Sequence, residues 1–131
     1  MRIGVDAKWF SEGPMSGRLV VSHLVKELTA MTTDHEFCLF LDKNSEGAQF
    51  APRGPGVHVK YVWGGNTLLS NVFSLPWSMR GEGLDVVLYQ NFVSPFGTGK
   101  RIAFIYDVLF ESHPQHFSDF NTAFNIGGIV E

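Results

Sequence analysis

Tyr106 and Asp107 stand where an apolar run stops. That run, Ile102 to Ile105, is too short for a helix and follows the turn-formers Gly97, Thr98 and Gly99. It reads as a strand buried on both faces of a parallel sheet. In open α/β sheets ligands sit beyond the carboxyl ends of the strands, so a carboxylate released there is a candidate site residue. The competing reading is that Asp107 caps the following turn. A second candidate is the segment GPMSGR, Gly13 to Arg18. Backbone N–H groups at Gly17, Arg18 and Leu19 are expected to open a helix whose dipole favours an anion. Arg18 adds a fork of donors suited to phosphate or carboxylate. The pattern is not GxGxxG, and an alternative has Ser16 capping the helix with Arg18 solvated.

Other chemistries find less support. His113 and His116 are three apart, but Pro114 lies between them and no Cys or third His completes a site, so no metal centre is predicted. No GxSxG elbow is present, and the one cysteine, Cys38, sits inside the run FCLFL, where a buried inert thiol is expected. A phosphoacceptor receiver would place clustered acids after the first strand, whereas Asp6 stands alone. No P-loop or CxxC occurs. Trp9, Trp63 and Trp77 could floor a sugar site, but aromatics near strand ends are here read as core.

The elements that must position these groups follow from periodicity. Arg2 to Ala7 reads as a first strand, Lys8 to Met15 as a loop, and Ser16 to about Met31 as a helix. On that helix Val20, Leu24, Val25, Leu28 and Met31 share a face. Glu36 to Leu41 is a second strand, 42–56 a loop, and Val57 to Val62 an alternating third strand with edge character. Asn66 to Arg80 has helical spacing that Pro76 must kink or restart. Leu84 to Tyr89 and Lys100 to Tyr106 are the fourth and fifth strands, and Phe117, Phe120 and Phe124 mark a final short helix. His23, His35 and His58 read as surface or edge residues. The fold class predicted is α/β: a Rossmann-like, mostly parallel sheet of about five or more strands with helices on both faces.

With 131 residues, 13 acidic and 10 basic side chains and a net charge of −3, the chain is sized for one domain and is not a basic nucleic-acid binder. No apolar stretch has the length of a membrane span, and MRIGVDAK is not a signal peptide, so a cytoplasmic location is expected.

Taken in order, these segments resemble the N-terminal domain of the group 1 (family 4) retaining glycosyltransferases of the GT-B fold. RIGVDAK is similar to that family's opening strand, ending in Asp-Ala and a basic residue. GPMSGRLVVSHLVKEL is similar to its glycine-rich turn with an arginine at the helix start. LDVVLYQNFVSPF matches its fourth-strand pattern, and RIAFIYDVLFESHPQHFSDF its fifth strand, Asp-containing turn and His-Pro-x-x-Phe segment. The likeness spans about residues 2 to 120.

The resemblance implies that residues 1–131 form a single Rossmann-like domain, the acceptor-side half of a two-domain hexosyltransferase. A C-terminal domain with paired glutamates would bind most of the nucleotide-sugar donor; it lies outside this sequence, and the chain alone is expected to be inactive. The acceptor would be a glycan or glycolipid, at a site peripheral to the inner membrane face. Ser16, Gly17 and Arg18 would lie near the donor diphosphate or acceptor, and Asp107 near the reacting sugar. Asp6 would fix its loop rather than perform chemistry. Tyr106 stands where the family commonly places His. A phenol, ionising near pH ~10, is no base at neutral pH, though it can hydrogen-bond a sugar hydroxyl. No cofactor is implied. A different class of function is a non-catalytic α/β binding or oligomerisation module, with a homodimer formed through the uncovered cleft face.

Overall fold

In the computed structural model the described residues are 1–11, 13–31, 33–63, 67–90 and 92–105. Strand β1 (Arg2–Asp6) leads through a 3-10 turn at Lys8–Phe10 into helix α1 (Met15–Ala30). Then come β2 (Glu36–Asp42), a 3-10 turn at Glu46–Phe50, and β3 (Val57–Val62). A helical segment follows in three pieces: α2 (Thr67–Leu69), a π-turn (Ser70–Ser74) and α3 (Leu75–Met79). Strands β4 (Val86–Gln90) and β5 (Lys100–Phe104) complete the described chain. All five strands pair in parallel in the order β3-β2-β1-β4-β5. The fold is the Rossmann-like α/β sheet predicted from the sequence.

Side-chain alternation sends each central strand to two cores. Val5, Phe37, Leu39 and Leu41 pack on the α1 side with Val21, Val25, Ala48 and Ala51. Cys38, Phe40, Val87 and Tyr89 pack on the opposite side with Leu75 and Met79. The run FCLFL is therefore apolar at every position because β2 is buried on both faces. Successive parallel strands need a crossover of about a dozen residues. Between β2 and β3 the Glu46–Phe50 turn supplies it, and Ala48 anchors it in the α1-side core.

Several boundaries differ from expectation. The buried face of α1 is Gly17, Val21 and Val25, with Leu28 partly buried; Met31 lies past the helix end and is exposed. At Pro76 the helix restarts, one of the two outcomes expected, with the proline in the first turn of α3. In an α-helix its ring would meet the carbonyl of residue 72; the chain instead widens into the π-turn beforehand, where the Leu75 N–H donates to the Ser70 carbonyl. Strand β4 starts later than expected because Asp85 closes the sheet margin, its N–H donating to the Arg2 carbonyl and its carboxylate accepting the Arg2 N–H.

The fifth strand overturns the expectation of burial on both faces. It lies at the sheet edge, paired among the described residues with β4 alone, and Ile102 is 52% exposed. An edge strand has one lateral neighbour, so an apolar sequence cannot by itself guarantee burial. The third strand is the other edge, as its alternation predicted, with His58 exposed. The β4–β5 connection depends on two glycines. Gly99 has φ +75° and abuts the Leu84 carbonyl, and a Cβ at Gly97 would collide with the Tyr89 hydroxyl.

Candidate functional site at the strand-order reversal

Strands β1, β2 and β3 step outward in one direction, and the chain then returns past β1 to place β4 on its other flank. The reversal separates the loops after β1 and β4 and opens a crevice at their carboxyl ends, where open α/β sheets bind ligands. Asp6, Lys8, Trp9, Asn71 and Gln90 line it. Asp6 and Gln90 are the last residues of β1 and β4, Lys8 opens the 3-10 turn, and Asn71 comes from the π-turn.

Lys8 organises the crevice. Its ammonium donates to both Asp6 carboxylate oxygens at 2.9 Å and to Asn71 Oδ1 at 2.8 Å. Its own N–H donates to Asp6 Oδ1 at 3.3 Å. The two side chains are only 10% and 5% exposed, so the pair is held in a poorly solvated setting. A buried ion pair with this geometry offsets the cost of desolvating both charges, and loss of one partner strands the other. The pair also ties the helical segment between β3 and β4 to the end of β1.

Tyr89, next to Gln90, is fully buried, and its hydroxyl donates to Met79 Sδ at 3.6 Å. Burial, reinforced by the negative charge of Asp6 and opposed by Arg101, pushes the phenol up to about 12. It is neutral at physiological pH and contributes no charge to the crevice.

The sequence-predicted residues fare differently. Tyr106 and Asp107 lie outside the described residues, as do His113, His116 and the predicted final helix. Ser16 does not cap α1: Pro14 occupies the N-cap, with extended backbone and no side-chain acceptor, and Ser16 lies inside the first turn. Helix formation thus begins earlier than expected, and the Arg18 N–H is already spent on the Pro14 carbonyl at 2.9 Å. The backbone donors without intrahelical partners are those of Met15, Ser16 and Gly17 rather than Gly17, Arg18 and Leu19. Gly17 is buried on the packing face of α1. Arg18 is exposed and lines a separate open groove with Phe10, Ser11, Met15, Leu19 and Ser22, so the structure does not bring it into the crevice. Asp6 fixes its loop as expected.

Lys8, Asn71 and Gln90 were missed. The rule that singled out Tyr106-Asp107, a polar residue ending an apolar run, applies equally to Tyr89-Gln90 one strand earlier. Lys8 carried a signal in its spacing from Asp6. Asn71 carried none, because only the π-turn brings it inward.

The tryptophans also depart from the core reading. Trp9 is partly buried against the α1-side core. Trp63 and Trp77 are instead exposed, 51% and 73%, and flank a groove of about 410 Å³ with Leu69, Phe73, Ser74 and Ser78. The guanidinium of Arg80 lies 5.4 Å from the Trp77 ring centroid, a cation–π distance.

None of the known protein-family models, curated proteins or solved structures matches this chain. Among the described residues no helix is long and apolar enough to cross a membrane, and no group of three or more His, Cys, Asp or Glu could hold a metal ion.

Two measurements test the crevice. Lys8→Met should destabilise the chain by about 3–5 kcal/mol in urea unfolding, because it strands the Asp6 carboxylate. Asp6→Asn combined with Lys8→Met should recover a large part of that loss; a double-variant loss equal to the sum of the two single losses would show that the pair is not coupled. For Tyr89, the folded phenol ionises above its unfolded value of about 10. Its contribution is therefore complete below pH ~10 and is lost as pH rises from there through about 12. Tyr89→Phe should flatten that alkaline decline, read as melting temperature against pH.

Proposed function

We propose that this domain serves as the acceptor-side half of a sugar transferase, holding a glycan or glycolipid while a facing domain presents a nucleotide-sugar. The observation that carries the reading is the crevice where the strand order reverses, lined by Asp6, Lys8, Asn71, Gln90 and Trp9. A buried carboxamide with unpaired donor and acceptor atoms is a group that hydrogen-bonds a hydroxyl, so an acceptor would reach the crevice with one hydroxyl while its ring stays outside. The order of the four sequence motifs supports the same reading, and through it Asp107 is assigned to the reacting sugar. A cytoplasmic setting with the acceptor held at a membrane face belongs to this proposal.

The chain is titrated with methyl glycosides and short oligosaccharides while its melting temperature is followed. At about ten times Kd a bound acceptor contributes about 1.4 kcal/mol, which raises the melting temperature by several degrees. Asp107→Ala should abolish the rise. Arg18→Ala should leave it intact, because Arg18 lines a different groove. A folded chain that no acceptor stabilises would sink the proposal.

A second reading, self-association through an exposed aromatic face, is favoured by a specific feature. Phe73 and Trp77 are shared by the groove beside Trp63 and a neighbouring one that adds Arg80 and Phe96. Contiguous apolar surface of this kind marks interaction sites. Light scattering should then show a dimer that Trp77→Glu converts to monomer. A strict monomer at high concentration would rule it out.

A further inference from the structure

We propose that the cavity beside Gln90 is a subsite for one hydroxyl group, supplied by the sugar acceptor; the identity of that ligand rests on the reading of the crevice given above. Gln90 is 7% exposed, and neither its Oε1 nor its Nε2 has a hydrogen-bond partner among the described residues. Buried carboxamides are ordinarily paired, so a side chain with both ends unpaired at the floor of a crevice is built for something that enters it. The cavity that it lines measures about 20 Å³. That admits one water-sized group and excludes a whole sugar ring.

The chemistry of the lining selects the group. Lys8 has three N–H donors, and they are aimed at the two Asp6 oxygens and at Asn71 Oδ1. Lys8 therefore has no donor left to attract an anion. The unmet capacity belongs to Gln90, which offers donors at Nε2 and an acceptor at Oε1. A carboxylate or phosphate oxygen only accepts; it would leave Oε1 unpaired and meet the charge of Asp6. An ammonium only donates and would leave Nε2 unpaired. A hydroxyl both donates and accepts, and is small enough to enter. In the free protein the same place suits one ordered water, which the ligand hydroxyl displaces.

The test uses the ¹⁵N-labelled chain, observed at the Gln90 side-chain amide, with glycerol and a set of methyl glycosides as probes. Before any ligand is added, that amide should show a nuclear Overhauser effect to a long-lived water. A methyl glycoside should shift the amide signal and abolish the water contact. Gln90→Leu should weaken glycoside binding roughly tenfold, about the size of one hydrogen bond, without lowering the melting temperature, because it removes groups that have no protein partner. If glycosides bind with unchanged affinity to Gln90→Leu and never shift the amide, the subsite is wrong while the acceptor reading survives. If glycerol shifts the amide and no glycoside does, the hydroxyl subsite stands and the acceptor reading fails. Absence of both the water contact and any ligand-induced shift would overturn the subsite, with no need for the variant to fold.

Discussion

A parallel sheet cannot turn back on itself by hairpins. Every strand must be re-entered from the same end, so all the carboxyl ends lie on one rim and all the crossovers on the two faces. Everything else in this molecule depends on that constraint. It forces apolar side chains onto both faces of β2, requires covering elements on each side, and collects the polar residues that end the strands along one edge. With β1 central and β4 returning to its far flank, the rim opens at one place. Asp6 and Gln90 meet there, although they are far apart in the chain.

The Lys8 ammonium converts that opening into a defined site. By holding both oxygens of Asp6 and the side-chain Oδ1 of Asn71 at once, it joins the first strand to the segment that crosses the opposite face. Charge at the crevice is thereby consumed internally. The polar capacity that remains is neutral, and it resides in the carboxamide of Gln90. Such a lining offers a pattern of donors and acceptors rather than an unpaired charge, unlike the helix N-termini that grip phosphate in other α/β sheets.

The π-turn connects backbone chemistry to that site. Proline at position 76 has no N–H to give to a preceding carbonyl, and the helix widens before it. Ser70 and Asn71 are buried in the widened turn, while Phe73 and Trp77 are left on the outer surface. One local adjustment thus serves both the polar crevice and the exposed aromatic face.

The sequence alone determined the class of fold and the approximate place of every described strand, because continuous apolar runs, alternation and Gly/Pro punctuation are local properties that packing rarely overrides at this strength. It also identified β3 as an edge, since its alternation leaves one face polar. It misjudged β5, whose apolar run imitates a central strand; strand order is a non-local property that composition does not encode. It placed the helix start at Ser16, but Pro14, with its fixed φ, already begins it. The tertiary structure decided which polar residues share a site. Asp6 and Lys8 were adjacent enough to suspect, but Asn71 and Gln90 join them only through the reversal of strand order and the π-turn. Arg18, persuasive in sequence, is carried to a different groove because the packing face of α1 runs through Gly17, Val21 and Val25.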